Sequence, residues 1–160
     1  MSFSRILVAI DTSELSQTVF ARAVELAQAC SAKLHLCHCL NMEAHPELAL
    51  PAMSVGMSDL GTYPRLMDSV VWQEQMQHRQ EQAVVLLKTY SQTATELGIA
   101  TEYDCQPGEA GSALCTLAKE WQADLIMMGR RGRTGLSEAL LGSISNYVLH
   151  HAPCAVLVIQ

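Results

Sequence analysis

Five short apolar runs alternate with segments of helical period, and that alternation constrains the fold more than any other feature of the chain. Arg5 to Ile10 (RILVAI), Lys33 to Leu40 (KLHLCHCL), Ile99 to Cys105, Leu125 to Met128 and Ala155 to Ile159 (AVLVI) read as strands. Leu15, Val19, Ala23, Leu26, Ala27 and Cys30 recur at helical spacing. Trp72, Met76, Ala83, Leu86, Leu87, Tyr90, Ala94 and Leu97 mark a long second helix, which Gly98 stops. Ala110, Leu114, Leu117, Ala118 and Trp121 form a third helix, after a turn at Pro107-Gly108. A fourth runs through Ile144 to Leu149 and ends before Pro153. Such alternation implies an α/β fold, with a parallel sheet covered by helices on both faces and joined by right-handed crossovers. In these sheets ligands sit beyond the carboxyl ends of the strands, where strand order reverses. Asp11 and Gly129 stand at two such ends, and they face one another if the first and fourth strands are neighbours.

The fourth strand leads into Gly129, Gly132, Gly135 and Gly142, and Ser143 then opens the last helix. Strand, glycine-rich loop and helix start form an order suited to anions. Glycine lets a backbone approach a ligand closely. The first amides of a helix lack internal partners, and the helix dipole adds partial positive charge there. Phosphate is the expected guest. Arg130, Arg131 and Arg133 place guanidinium groups in the same loop. No Gly-Lys-Ser/Thr follows, so this is not the Walker loop, and the Gly-x-Gly-x-x-Gly dinucleotide fingerprint is absent.

Composition narrows the function further. At 160 residues the chain reads as one domain, 1–160, with no internal repeat. Its net charge of −6 argues against nucleic acid as a partner. No stretch is apolar enough to cross a membrane, the first residues lack signal-peptide anatomy, and a cytoplasmic protein is expected. Six cysteines form no Cys-x-x-Cys pair and read as reduced, buried thiols. His35, Cys37 and Cys39 on one strand lack the second half of a zinc site, so no metal ligands are assigned.

The spacing of Gly129, two residues, Gly132, nine residues and Gly142-Ser143 resembles the nucleotide-binding signature of the universal stress protein family. RILVAIDTSELS, the second strand, and Gly108 to Ile159, ending ISNYVLHHAPCAVLVI, extend the resemblance. It implies a three-layer, Rossmann-like sandwich of the adenine nucleotide alpha hydrolase type. The five-stranded parallel sheet would have the order 3-2-1-4-5, with strands one and four side by side. It implies ATP as ligand, with or without Mg²⁺ or Mn²⁺ held mainly by phosphate oxygens. It also implies a homodimer through the exposed last strand, 155–159, and a regulatory role exercised on a protein partner not yet identified.

The resemblance places the nucleotide on Ala9, Asp11, Cys39, Met128, Gly129, Gly132, Arg133, Gly142, Ser143, Ile144 and Ser145. Asp11 offers two acceptors to the ribose hydroxyls, and equally suits a helix N-cap. Near Cys39 the backbone would meet adenine, the thiol being incidental. Met128 lines the pocket or, the reading preferred, simply packs in the core. Gly132, Gly142, Ser143, Ile144 and Ser145 meet the phosphates, the serines also by hydroxyl, and Arg133 is the arginine expected to touch them. Ser143 is equally a helix cap. His150 and His151 suit the dipole at a helix end, His38 reads as a core histidine, and Tyr147 as packing.

No residue is assigned to catalysis, because no base near a terminal phosphate is evident and no His-x-Gly-His motif occurs. A slow ATPase, an adenylyl-handling enzyme and a cyclic di-AMP sensor stand as alternatives. Residues 41–71, with Pro46, Pro51 and Pro64 and four methionines, read as an irregular insertion between the second strand and second helix. A lid, a partner-binding flap and a surface loop are all compatible with it.

Overall fold

A computed structural model describes residues 2–40, 63–130 and 142–160, with side chains of the second segment from 70 onward. The elements are β1 (Arg5–Ala9), α1 (Leu15–Cys30), β2 (Lys33–Leu40), α2 (Tyr63–Glu96), β3 (Thr101–Pro107), α3 (Ala110–Glu120), β4 (Leu125–Gly129), α4 (Ser143–His151) and β5 (Ala155–Ile159). All five strands are parallel, in the order β3-β2-β1-β4-β5. The expected sheet is therefore the observed one, and its order reverses between β1 and β4.

The apolar runs lack a strict alternation because the sheet is buried on both sides. Ile6, Val8, Leu34, Leu36 and Met127 face one way, into a cluster with Val19, Ala23 and Leu87 of α1 and α2. Leu7, Cys37, Ile126 and Met128 face the other, against Leu114, Leu117 and Ala118 of α3 and Val148 of α4. Leu7, Leu87 and Ile126 are fully buried. Each such side chain contributes about 1.5–3 kcal/mol over its exposed state.

Three helices stop in the same way. Ser31 (φ 55°), Gly98 (φ 81°) and Gln122 (φ 56°) are left-handed. The next amide reaches back five residues: Ala32 to Ala27 at 2.9 Å, Ile99 to Ala94 at 3.0 Å and Ala123 to Ala118 at 2.8 Å. Those bonds satisfy carbonyls at the helix ends and tuck Ala32, Ile99 and Ala123 into the core. The chain then enters the next strand within one or two residues. At the same end of the sheet the Asp124 carboxylate accepts from the amides of Ser4 (2.7 Å) and Arg5 (3.2 Å), tying the start of β1 to that of β4.

Two expectations need correction. The second helix begins at Tyr63, well before Trp72, so residues 63–71 continue a helix rather than belong to an irregular insertion. Pro64 lies in its first turn, where a missing amide hydrogen costs nothing. The third strand starts at Thr101 and runs to Pro107, which pairs with Leu40 on an edge strand that tolerates proline. Residues 41–62 and 131–141 lie outside the described residues, and with them the alternatives for that insertion.

His35 is buried on the α3 side of β2, edge-on to Trp121 with ring centroids 5.1 Å apart. Neither ring nitrogen has a hydrogen-bond partner among the described residues. Burial pushes its pKa below 6.5, against the opposing pull of Glu102 (4.0 Å) and Asp104. The folded imidazole therefore resists a proton that the unfolded chain accepts. Stability is complete above pH 6.5 and falls as pH drops through the region below it. Urea midpoints measured between about pH 7.5 and 5.5 should decline for the natural chain and decline less for His35→Phe. Equal slopes would show that His35 is not the titrating group.

Candidate functional site

At the reversal of strand order, β1 sends its chain to α1 on one face and β4 sends its chain towards α4 on the other. Asp11 lies just beyond β1, one residue after Ile10, whose amide donates to the Cys37 carbonyl at 2.8 Å. Asp11 Oδ1 accepts from the Ser13 amide (2.9 Å), the Ser13 hydroxyl and the Ser16 hydroxyl (2.7 Å). The Ser16 oxygen in turn accepts from the Asp11 amide at 2.9 Å. Asp11 thus closes an Asx-type turn ahead of α1. It is not the residue at the cap position, which is Glu14. Among the described residues all three of the bonds to its carboxylate fall on Oδ1, which leaves Oδ2 uncommitted.

Two side chains near Asp11 were read from the sequence as parts of the core, His38 on β2 and Tyr90 on α2, and were not assigned to the site. His38 Nδ1 lies 2.8 Å from the Ile10 carbonyl, so the ring donates there and holds the peptide that leads into Asp11. The signal was present in the alternation of β2, which puts His38 on the same face as Leu34 and Leu36. Tyr90 of α2 packs against Phe20, with ring centroids 4.5 Å apart and the planes tilted by 43°. Its phenol is pushed up in pKa by burial and then by the Asp11 carboxylate.

On the opposite side of the crevice, α4 starts without a side-chain cap. Gly142 occupies the cap position and its carbonyl accepts the first helical bond, from Asn146 at 2.9 Å. The amides of Ser143, Ile144 and Ser145 have no acceptor among the described residues. Ser143 and Ile144 are exposed, and Ser145 is buried. The Ser145 hydroxyl lies 3.0 Å from the carbonyls of both Arg130 and Gly142. The Gly142 amide also donates to the Arg130 carbonyl, at 3.1 Å. These bonds clasp the two ends of the glycine-rich loop together at its base. The Arg130 amide, in turn, donates to the Ile159 carbonyl at 2.8 Å, fixing that base to β5.

The remaining residues sort by face. Ala9, Cys39 and Met128 pack on the α3/α4 side, near the carboxyl ends of their strands. Met128 is 4% exposed and belongs to the core, the reading preferred for it. Gly129 turns the other way, and a Cβ there would stand 2.8 Å from Leu15 Cδ2 of α1. Gly132 and Arg133 lie outside the described residues, as do Arg131 and Gly135. No group of three or more His, Cys, Asp or Glu side chains is placed to hold a metal among the described residues. None of the helices described is long and apolar enough to cross a membrane.

A parallel sheet whose strand order reverses between β1 and β4, with helices on both faces, defines a doubly wound α/β domain. The family model described as the universal stress protein family matches residues 2–160, and the chain belongs to that family. The universal stress protein Sll1388 of Synechocystis sp. is 36% identical over 160 residues, covering 100% of this chain and 99% of the relative. The universal stress protein UspA from Lactobacillus plantarum superposes with a TM-score of 0.80 at 24% identity, over 100% of this chain and 99% of that one. A universal stress protein from Archaeoglobus fulgidus, solved in complex with dAMP, gives a TM-score of 0.59 at 18% identity, over 100% of both chains.

The position of α4 depends on a close approach to α3. A Cβ added at Gly111 would fall 2.7 Å from Tyr147 Cδ1 and 3.1 Å from Tyr147 Cβ. Tyr147 is itself stacked on His151, with centroids 4.1 Å apart. Helix propensity would favour Gly111→Ala by up to about 1 kcal/mol. The clash outweighs that gain, and the substitution should destabilise the chain by about 1–3 kcal/mol in urea unfolding. Adding Tyr147→Ala should recover part of the loss. Strict additivity of the two substitutions would show that the helices do not meet there.

Proposed function

We propose that this chain is an adenine-nucleotide-binding regulatory protein that takes ATP in the crevice between β1 and β4. The observation that carries the reading is the first turn of α4, where three amides have no acceptor among the described residues, at the same end of the sheet as a carboxylate whose Oδ2 has no partner among them. Hydrogen bonds to a charged group are among the strongest available to a backbone amide. In this reading the amides of Ser143, Ile144 and Ser145 hold phosphate oxygens, and Asp11 Oδ2 accepts from the ribose hydroxyls. The strand ends at Ala9, Cys39, Met128 and Gly129 receive the base through main-chain groups. Gly132 and Arg133 complete the phosphate cradle, and Gly142, whose own amide is committed to the Arg130 carbonyl, contributes by leaving the approach free of a side chain.

The dAMP complex of the structural neighbour supports an adenine nucleotide as the class of ligand. A row of adjacent unpaired donors and an arginine-rich loop favour a polyphosphate over a monophosphate. Mg²⁺ or Mn²⁺ fits this donor set only as an ion carried by phosphate oxygens. Every polar group assigned here binds the nucleotide and none is assigned to cleave it, which makes the role regulatory. The edge strand β5, with Leu157 40% exposed, is the surface through which a second copy would pair.

Calorimetric titration of the full chain with ATP, AMP and cyclic di-AMP tests the reading, with ATP expected to bind most tightly. Asp11→Ala removes a hydrogen bond to a charged group worth about 1.5–3 kcal/mol, so ATP affinity should fall roughly 10- to 100-fold. Gly142→Val covers the open amides and should abolish binding while leaving the circular dichroism spectrum unchanged. Undiminished affinity in Gly142→Val would remove the cradle from the account. A natural chain that binds no adenine nucleotide at millimolar concentration would remove the function.

A further inference from the structure

Cys37 and Cys39 are two residues apart on β2, so the pleat directs both side chains to the same face. Their sulfurs lie 3.8 Å apart, a hydrogen-bond distance for thiols. It is the only such cysteine pair among the described residues, and both thiols are free. Cys37 is 1% exposed, sealed between Leu7, Ile126 and the helices of the α3/α4 face. Cys39 is half-buried, near the carboxyl end of the strand, with its sulfur 3.8 Å from the Ala110 carbonyl at the start of α3. One thiol is thus partly exposed, while the other touches it from inside.

We propose that Cys37 and Cys39 form a dithiol oxidised by hydroperoxides, with Cys39 as the attacked sulfur and Cys37 as the resolving one. The acidities of the pair point the same way. Either thiol can donate in the contact between the two sulfurs; with Cys37 as the donor it holds the Cys39 thiol below its usual pKa, although burial opposes this. The same bond, with burial, pushes Cys37 far up, so it keeps its proton. Burial also pushes Cys105, Cys115 and Cys154 up. Cys39 is therefore the thiol with the largest thiolate character among these, and the thiolate is the nucleophile.

The chemistry balances in two steps. The Cys39 thiolate attacks the distal oxygen of the hydroperoxide, the O–O bond breaks, and an alkoxide (hydroxide from hydrogen peroxide) leaves and is protonated by water. Cys39 is now a sulfenic acid. The Cys37 sulfur then attacks Cys39, the S–O bond breaks, and the proton of Cys37 leaves with the departing hydroxide as water. Two electrons pass from the thiols to one peroxide. Successive same-face residues of a strand stand about 6.6–6.8 Å apart at Cα. That is the upper limit of the usual disulfide range of about 4.4–6.8 Å. The bridge therefore draws the end of β2 together and is readily reduced, as strained disulfides are. His38 lies between the two cysteines, so the contraction acts on its bond to the Ile10 carbonyl beside Asp11. The proposal does not depend on nucleotide binding.

The test uses the full, reduced chain treated with hydrogen peroxide, then blocked with N-ethylmaleimide and digested with trypsin. The peptide from Leu34 to Arg65 contains both cysteines. It should become two hydrogens lighter and resist blocking, roughly tenfold faster than Cys30, Cys105, Cys115 or Cys154 is oxidised. Dithiothreitol should restore both thiols. In Cys37→Ala the reaction should stop at a sulfenic acid on Cys39, captured by dimedone. Oxidation of Cys39 no faster than the other thiols would overturn the proposal. So would a natural chain whose Cys39 passes to sulfinic acid without ever forming the Cys37 bridge, a result that needs no variant.

Discussion

Three amide hydrogens at the first turn of α4 have no acceptor among the described residues, and much of the surrounding structure serves to keep them that way. A serine, threonine or aspartate at the cap position would satisfy one of them from within the chain. Gly142 stands there instead and has no side chain to offer. The one nearby buried hydroxyl, on Ser145, points back to the carbonyls of Arg130 and Gly142 rather than forward over the helix end. The dipole at this helix start favours negative charge, which is the basis of the phosphate site proposed there. The loop clasp at Arg130 and the packing of α4 on Gly111 hold this turn at the end of β4.

The sheet supplies the other half of the arrangement. Because α1 and α4 pack on opposite faces after adjacent strands, the strand order reverses between β1 and β4, and a crevice is expected at that point. Asp11 meets that crevice just beyond β1, pinned by Ser13, Ser16 and, through Ile10, by His38. A carboxylate so constrained loses little freedom on binding, which is how a rigid site limits the cost of association. The same carboxyl ends of the strands carry Cys39, so the thiol chemistry proposed for β2 and the nucleotide crevice share one edge of the sheet.

Much of this was legible in the residues. Apolar runs gave β2 and β5 with the bounds observed, and Gly98 marked the end of α2. The strand order was not in the pattern itself; it came with the resemblance carried by Gly129, Gly132, Gly142 and Ser143. Ser31 and Gln122 end their helices in the left-handed region without any glycine signal, because packing of Ala32 and Ala123 sets the turn. Pro64 looked like a helix breaker and stands in a first turn instead. In the candidate site, positions were easier to read than bonds. Ser145 lies where it was expected, yet its hydroxyl serves the loop base. His38 looked like core filling, yet it positions the peptide before Asp11. A sequence shows which groups arrive at a place, while the competition among acceptors there is settled only by geometry.

The central claim is that vacant amides at the start of α4 receive phosphate. Backbone ¹⁵N–¹H spectra of the full chain, recorded as ATP is added, address it most directly. The account predicts that the amide protons of Ser143, Ile144 and Ser145 move downfield together and saturate with the nucleotide. The Gly142 amide, already bonded to the Arg130 carbonyl, should move much less. Saturation with ATP while those three resonances stay in place would contradict the account.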